Sequence, residues 1–208
     1  MSATLAPNAF RALLQTGRSL AGLFCGMNAP LAAEALAGLG YDWVLVDMEH
    51  GPAEVPDVIA SLQAIAAGGP AASMVRVPWN DPIVIKRVLD AGATTLMVPM
   101  VQNAEEAARA VAATRYPPAG FRGLAGITRA SRFGQVKDYA HRANAEIFVM
   151  VQVETVAAID ALPEILAVEG VEAVFIGPGD LSANMGHAGN IPHPEVQVQI
   201  ARAVAMCR

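Results

Sequence analysis

Two acidic side chains follow apolar runs that have the composition of buried strands. Glu154 comes shortly after residues 147–151, and Asp180 comes shortly after residues 174–176. If both runs are parallel strands of one sheet, their carboxyl ends meet at the same edge and the two carboxylates can reach one point. Two oxygen ligands with open positions suit Mg²⁺ or Mn²⁺ better than a closed structural zinc site. Either residue alone could equally cap a helix, but the matching positions favour a metal site.

A histidine in another loop after an apolar run is the candidate general base. His50 lies in the segment DMEHG at residues 47–51, and histidine often accepts protons near neutral pH. Such a base needs a carboxylate to orient it. Asp47, Glu49 and Asp90 are all candidates that their spacing does not separate. The alternative is a solvated loop histidine without a catalytic role.

An arginine ends a further apolar run. Arg76 follows residues 73–75, and a guanidinium at such a position is costly to bury unless it meets an anion. A carboxylate or enolate of a substrate fits this need, and a structural ion pair is the alternative. No lysine ends any of the central runs, so the sequence does not favour covalent catalysis through a Schiff base.

A glycine-containing turn leads into Asp180. Gly177, Pro178 and Gly179 leave backbone N–H groups open to a ligand, and such a turn can hold a carboxylate or phosphate. An ordinary connection between a strand and a helix explains the turn equally well. His187 and His193 come later in the sequence, and we assign them to the shape of a loop rather than to a metal site.

The elements that must position these residues alternate along the chain. Short, continuous apolar runs predict parallel strands that are buried on both faces. The predicted strands are residues 20–24, 43–46, 73–75, 95–98, 147–151 and 174–176. The predicted helices are residues 30–39, 55–67, 82–91, 104–114, 156–168 and 194–207. This alternation is typical of a parallel α/β protein.

Polar residues at the ends of several runs favour a (β/α)8 TIM barrel over an open sheet. Loops at the carboxyl ends of barrel strands converge on one mouth, whereas a Rossmann fold needs a glycine fingerprint that residues 22–26 lack. A complete barrel takes about 250 residues, and this chain has 208. We therefore expect one barrel domain over residues 1–208, with a short fifth strand at residues 122–124 and without the last βα unit.

The composition argues against several classes of partner. A net charge of −5, from 14 basic and 19 acidic residues, argues against nucleic acid. The apolar stretch at residues 19–33 is too short and too interrupted to span a membrane. Cys25 and Cys207 fit neither a disulfide framework nor a zinc site, and we expect reduced thiols in a cytoplasmic protein.

Six motifs in the same order resemble the HpcH/HpaI family of class II, metal-dependent pyruvate aldolases. They are VDMEHG at residues 46–51, VRVP at 75–78, LMVPM at 96–100, RYPPAG at 115–120, VQVET at 151–155 and FIGPGDLS at 175–182. The similarity extends from about Gly22 to the end of the chain. Gly179 is a small departure, since alanine is expected there in many members.

The resemblance implies a barrel of the phosphoenolpyruvate/pyruvate type that assembles as a homo-hexamer, a trimer of dimers. It also implies a reaction, the reversible retro-aldol cleavage of a 4-hydroxy-2-oxo acid to pyruvate and an aldehyde. The substrate would be 4-hydroxy-2-oxoheptanedioate from aromatic catabolism or a 2-keto-3-deoxy sugar acid. A divalent ion, Mg²⁺, Mn²⁺ or Co²⁺, would stabilise the pyruvate enolate.

The same resemblance assigns roles to individual residues. Glu154 and Asp180 would hold the metal, Arg76 would stabilise the enolate oxygen, and His50 would be the base with Asp90 as its orienting partner. The residues expected to bind the substrate, by polar contact or as an apolar wall, are Gln152, Gly177, Pro178, Gly179, Phe24 and Phe175.

Two other functions remain open on the sequence. A CoA-ester lyase or a decarboxylating enzyme of the same barrel superfamily would use the same enolate, but no cluster of basic residues offers a groove for a nucleotide. A barrel that binds metal without turnover is the second alternative, because the expected last βα unit is missing.

Overall fold

A parallel sheet whose strands follow one another in sequence order forms the centre of the molecule. The computed structural model describes residues 4–207. The strands in that range are β1 (Gly22–Cys25), β2 (Trp43–Asp47), β3 (Ala72–Arg76), β4 (Thr95–Val98), β5 (Phe148–Val153) and β6 (Ala173–Ile176). Every neighbouring pair is parallel, and the order is β1-β2-β3-β4-β5-β6. The predicted α/β barrel class is confirmed, as a curled, six-stranded half-barrel.

Helices precede, separate and follow the strands, and those that connect two strands cover the outer face of the sheet. Those in residues 4–207 are α1 (Ala9–Leu14), α2 (Pro30–Ala37), α3 (Val55–Gly68), α4 (Pro82–Asp90), α5 (Ala104–Thr114), α6 (Tyr139–Glu146), α7 (Val156–Asp160), α8 (Leu162–Leu166), α9 (Pro178–Asn184) and α10 (Pro194–Met206). Asp81 and Asn103 cap α4 and α5 by accepting backbone N–H bonds. The single helix predicted at 156–168 is divided in two. Pro163 in the first turn of α8 has no N–H to continue the α7 ladder.

The two faces of the strands pack into different cores. Outward-facing residues such as Val46 and Val149 lie under the helices in the main apolar cluster. Inward-facing residues form a second cluster inside the half-barrel, namely Leu45, Ala72, Met74, Met97, Phe148 and Met150, together with Phe10 of α1. Both faces of the sheet are therefore covered by apolar side chains, which is why the strand sequences are continuous apolar runs.

The inward-facing rows change from apolar to polar at the carboxyl ends of the strands. Beyond Leu45 the next inward residue of β2 is Asp47, and beyond Met74 the next one of β3 is Arg76. These two residues are direct partners in the register of the β2–β3 pair. On β5 the row continues past Met150 to Gln152. The fold thus gathers polar side chains at one end of an otherwise apolar interior.

Part of the predicted layout is wrong. The short fifth strand at residues 122–124 does not form, because β4 pairs directly with β5 and leaves no place for a strand between them. Residues 122–124 are instead irregular, and the Arg122 N–H bonds to the Arg115 carbonyl. The predicted domain over residues 1–208 stays a prediction, and its residues 1–3 and 208 lie outside the described part of the chain. Among residues 4–207, no helix combines the length and apolar character needed to cross a membrane.

Helix α1 covers the amino ends of the strands, opposite the polar end. Phe10 is 4% exposed and meets the Phe148 ring edge to face, with the ring centroids 5.2 Å apart. Asn8 caps α1 and donates to the Thr94 carbonyl, which fastens the helix to the start of β4. Helix α1 therefore covers the apolar interior at the amino ends of the strands.

Replacing Phe10 tests this packing. Phe10→Ala removes the ring that fills the space against Phe148, and we expect the free energy of unfolding to fall by about 3–5 kcal/mol. Gln15→Ala at the exposed end of the same helix is the matched control, with an expected change of about 0.5 kcal/mol or less. Urea unfolding followed by circular dichroism measures both. Equal effects of the two substitutions would contradict the assigned packing.

Candidate active site

A buried arginine lies at the centre of the polar end of the half-barrel. Arg76 donates from Nε to Asp47 Oδ1 at 2.9 Å and from Nη2 to Asp47 Oδ2 at 2.6 Å. Its Nη1 atom is 3.0 Å from Glu49 Oε2 and 3.4 Å from Gln152 Oε1. Burial lowers the pKa of Arg76, but the bonds to Asp47 outweigh this effect, so its pKa is raised and the guanidinium stays charged. The bidentate pair fixes the plane of the guanidinium.

Two aromatic rings form an apolar wall beside this guanidinium. The carbon at the centre of the Arg76 guanidinium is 4.9 Å from the centroid of the Phe24 ring, a cation–π contact. The rings of Phe24 and Phe175 are 5.7 Å apart. The structure thus places Phe24 beside Arg76 and Phe175 beside Phe24, and their role as a pocket wall stays a prediction.

Glu154 is completely buried and held at both carboxylate oxygens. The Met100 backbone N–H donates to Oε1 at 2.9 Å, and Gln152 Nε2 donates to Oε2 at 2.5 Å. Burial raises the pKa of Glu154, and the nearby negative charge of Asp180 adds to this effect. Gln152 contacts both Glu154 and Arg76, so it joins the acidic and basic halves of the site.

The turn after β6 lies against Glu154. Gly177 is the N-cap of α9, and a Cβ atom at this position would come within 2.3 Å of Glu154 Oε2. Any other residue would therefore displace the carboxylate. Pro178 and Gly179 begin the first turn of α9 and Asp180 follows in an exposed position. Glu154 and Asp180 thus follow the ends of the neighbouring strands β5 and β6, near enough for the charge of Asp180 to act on Glu154.

His50 is the exposed member of the site. Its side chain is 61% accessible, and its Nε2 atom lies 3.8 Å from Glu49 Oε2. The His50 backbone N–H reaches Asp47 Oδ1 at 3.4 Å. Of the three carboxylates that the sequence offered as its partner, Glu49 is the one beside the imidazole.

The structure does not bring Asp90 to His50. Asp90 ends α4, where its Oδ1 atom accepts from Arg122 Nη2 at 2.7 Å. The Arg122 side chain is fully buried and stacks 4.4 Å above the Tyr116 ring. Within the described chain, Asp90 therefore fastens the 115–122 segment to α4. Its expected role as the orienting partner of His50 has no support in this geometry.

The charges at the strand ends leave an excess of negative charge. The Arg76 guanidinium interacts with the carboxylates of Asp47, Glu49 and Glu154, and the charge of Asp180 acts in turn on Glu154. Burial raises the pKa of Glu49, and its neighbours Glu154 and Asp47 act in the same direction. A cation bound between Glu154 and Asp180 would relieve this repulsion. The all-oxygen donor set fits a hard divalent ion such as Mg²⁺ or Mn²⁺.

A second cluster, His187, His193 and Glu195, places three possible ligand atoms within 4.8 Å of one another. Its geometry is poorly suited to a cation. The two imidazole rings stack face to face with their centroids 3.5 Å apart, so one metal ion cannot lie in both ring planes. His193 Nδ1 also accepts the Glu195 N–H, and the cluster lies at the positive end of α10. The assignment of His187 and His193 to the shape of the loop before α10 stays a prediction.

Sequence reasoning missed two features of the site. It offered Asp47 as a partner for His50, whereas Asp47 binds Arg76. The available signal was that both residues end strands that are neighbours in a parallel sheet. It also missed the hydrogen bond from the Met100 backbone N–H to Glu154, because the residue type does not reveal which backbone N–H groups donate to a site.

The chain matches known proteins over nearly all its length. Residues 20–208 match the family model described as HpcH/HpaI aldolase/citrate lyase. A 4-hydroxy-2-oxo-heptane-1,7-dioate aldolase of Klebsiella pneumoniae is 55% identical over 202 residues, which are 97% of this chain and 76% of that protein. A protein of the same name from Escherichia coli is 54% identical over 97% of this chain and 77% of its own length.

Solved structures agree with the sequence matches. An HpcH/HpaI aldolase/citrate lyase family protein of Burkholderia cenocepacia J2315 is 46% identical with a TM-score of 0.90, and the match covers 94% of this chain and 79% of that one. An HpcH/HpaI aldolase of Desulfitobacterium hafniense is 33% identical with a TM-score of 0.86, over 97% and 78% of the two chains. The chain described here therefore belongs to the HpcH/HpaI aldolase/citrate lyase family.

Proposed function

We propose that the protein is a divalent-metal-dependent aldolase that cleaves 4-hydroxy-2-oxoheptanedioate, or a 2-keto-3-deoxy sugar acid, to pyruvate and an aldehyde. The observation that carries this proposal is the continuous contact from Arg76 through Gln152 to Glu154 at the carboxyl ends of β3 and β5. In this arrangement the Arg76 guanidinium, which can bind an oxygen of a 2-oxo acid or its enolate, lies close to a buried carboxylate that could hold the metal. The names of the relatives that are 54–55% identical support the heptanedioate substrate.

Glu154 and Asp180 are the residues that would hold the metal. Family aldolases of this kind generally depend on a divalent ion, and the excess of carboxylates at the strand ends supports the same requirement here. When bound, such an ion supplies a Lewis acid for the keto oxygen of the substrate. Mg²⁺, Mn²⁺ and Co²⁺ are the candidates, because oxygen ligands accept all three.

His50 is the group that would accept the proton in the cleavage direction. The proton leaves the 4-hydroxyl group, the C3–C4 bond breaks, and its electron pair moves into the pyruvate enolate while the aldehyde is released. Protonation of C3 then gives pyruvate. The exposure of His50 leaves the imidazole accessible to the substrate, and Glu49 is the nearby carboxylate that would stabilise its protonated form.

Arg76 would stabilise the negative charge that the cleavage leaves on the enolate oxygen. Its bonds to Asp47 hold the guanidinium in place before the substrate arrives, so no reorganisation is needed during the reaction. Gln152 and the backbone of Gly177, Pro178 and Gly179 would contact the pyruvate half. Phe24 and Phe175 would cover its methyl side.

A homo-oligomer, with the hexamer as the expected form, is the proposed assembly. Four large apolar side chains in one segment are more than half exposed, namely Phe121, Leu124, Ile127 and Phe133. Apolar side chains in such number on one surface segment mark protein–protein contacts. The free thiols Cys25 and Cys207 suit the reducing cytoplasm, which is the proposed location.

Metal-dependent pyruvate release tests the reaction. With Mg²⁺, Mn²⁺ or Co²⁺ present, we expect 4-hydroxy-2-oxoheptanedioate to yield pyruvate, measured by coupling to lactate dehydrogenase. Excess EDTA should stop the release, and added metal should restore it. A panel of 2-keto-3-deoxy sugar acids distinguishes the substrate classes. Release of pyruvate that EDTA does not affect would contradict the role of the metal.

Arg76→Lys tests the role of the guanidinium without removing its charge. The lysine can still pair with Asp47 but cannot reproduce the bidentate geometry, and we expect kcat to fall by about 10²–10³-fold. The thermal unfolding midpoint, followed by circular dichroism, is expected to change little because the buried aspartate keeps a cationic partner. A variant with wild-type kcat would remove Arg76 from the mechanism.

A further inference from the structure

Gln102 lies in the loop between β4 and α5 and connects two strand-end loops. Its side-chain Oε1 atom accepts from the Thr155 hydroxyl at 2.6 Å, and its Nε2 atom donates to the Met100 carbonyl at 3.3 Å. Its own backbone N–H donates to Glu106 Oε2 at 2.8 Å, which links it to α5. One amide thus joins the loop after β4 to the loop after β5.

Met100 has a backbone conformation that L-residues rarely adopt. Its φ angle is +54°, in the left-handed region, and methionine has no special preference for that region. In this conformation its N–H points at Glu154 Oε1, 2.9 Å away. Such a conformation persists only where the surroundings hold it. The Gln102 amide holds the Met100 carbonyl, and the Gln152 carbonyl accepts the N–H of Val101.

Thr155 gives the same arrangement a second anchor. Its hydroxyl donates to Gln102 and also accepts the Ala158 N–H at 3.0 Å as the cap of α7. Thr155 directly follows Glu154, so the amide of Gln102 restrains both the loop that donates to the carboxylate and the loop that carries it. It reaches one oxygen of Glu154 through Met100 and the backbone of Glu154 through Thr155.

We propose that Gln102 is a positioning residue for Glu154. It holds Met100 in the left-handed conformation that aims the Met100 N–H at Glu154 Oε1, and it thereby fixes the carboxylate in the orientation that receives the divalent ion. This inference rests on the proposed function, in which Glu154 holds that ion. In this role Gln102 acts on Glu154 through Met100 and Thr155.

The surroundings of Gln102 allow the hydrogen bonds to be removed without loss of the fold. A cavity of about 310 Å³ lies beside the amide, and its lining includes Trp79, Arg109 and Thr155. Water in this cavity can therefore replace the lost partners of Thr155 and Met100. Gln102→Met keeps the length of the side chain and removes only its polar contacts. A matched control is Gln197→Met, because Gln197 on α10 also donates to a backbone carbonyl, that of Ile191 at 3.0 Å.

The affinity for Mn²⁺, measured by electron paramagnetic resonance without substrate, is the first readout. We expect Gln102→Met to bind Mn²⁺ about 10–100-fold more weakly than the wild type, which is the usual effect of losing a group that orients a metal ligand. Gln197→Met should bind as the wild type does, and all variants should keep the wild-type thermal midpoint. Glu154→Gln provides the reference for loss of the site.

Hydrogen exchange of the Met100 amide, measured by NMR without metal, is the second readout. If Gln102 holds this amide on Glu154, exchange is faster in Gln102→Met than in the wild type, and unchanged in Gln197→Met. Wild-type Mn²⁺ affinity and wild-type exchange in Gln102→Met would overturn the positioning role, while the proposed function would stand if Glu154→Gln still abolished binding. Unchanged Mn²⁺ binding in Glu154→Gln would instead overturn the metal assignment and this inference with it.

Discussion

The ion pair between Arg76 and Asp47 is the interaction on which the polar end of the half-barrel depends. A buried guanidinium is costly unless a partner satisfies it, and Asp47 does so with two bonds of 2.6–2.9 Å. The same bonds fix the plane of the guanidinium and direct its remaining Nη1 atom to Glu49, 3.0 Å away. Gln152 and Glu154 are then arranged around a fixed cation, and the site is organised before any ligand arrives.

The parallel pairing of β2 and β3 is enough to bring Asp47 and Arg76 together. Asp47 and Arg76 are register partners at the last positions of β2 and β3, so their side chains emerge side by side from the same face. Two residues earlier on each strand, at the previous inward-facing position, the side chains are apolar, as Leu45 and Met74 show. The interior therefore changes from apolar to polar between two successive inward-facing positions of these strands.

Much of this organisation is visible in the sequence, and the parts that are not share a physical reason. Continuous apolar runs predict the six strands because both faces of the sheet are buried, and Glu154 and Asp180 are conspicuous as carboxylates beyond strand ends. The strand expected at residues 122–124 is wrong, and the contact of Asp90 with Arg122 is not foreseen, because both depend on long-range pairing. Only the direct contact of β4 with β5 excludes a strand there, and only the folded chain brings Arg122 to Asp90. The aim of the Met100 N–H depends on a backbone angle that its side chain does not reveal.

The two ends of the half-barrel illustrate opposite solutions to the same packing problem. At the amino end, Phe10 and Phe148 fill the interior, and local preference and global packing agree. At the carboxyl end the chain accepts unfavourable features: a left-handed Met100, a fully buried Glu154 with a raised pKa, and a Gly177 position where a larger residue would displace the Glu154 carboxylate. These features all converge on the Glu154 carboxylate. Such a concentration of strain is maintained where function requires it, and the rest of the barrel supplies the stability that tolerates it.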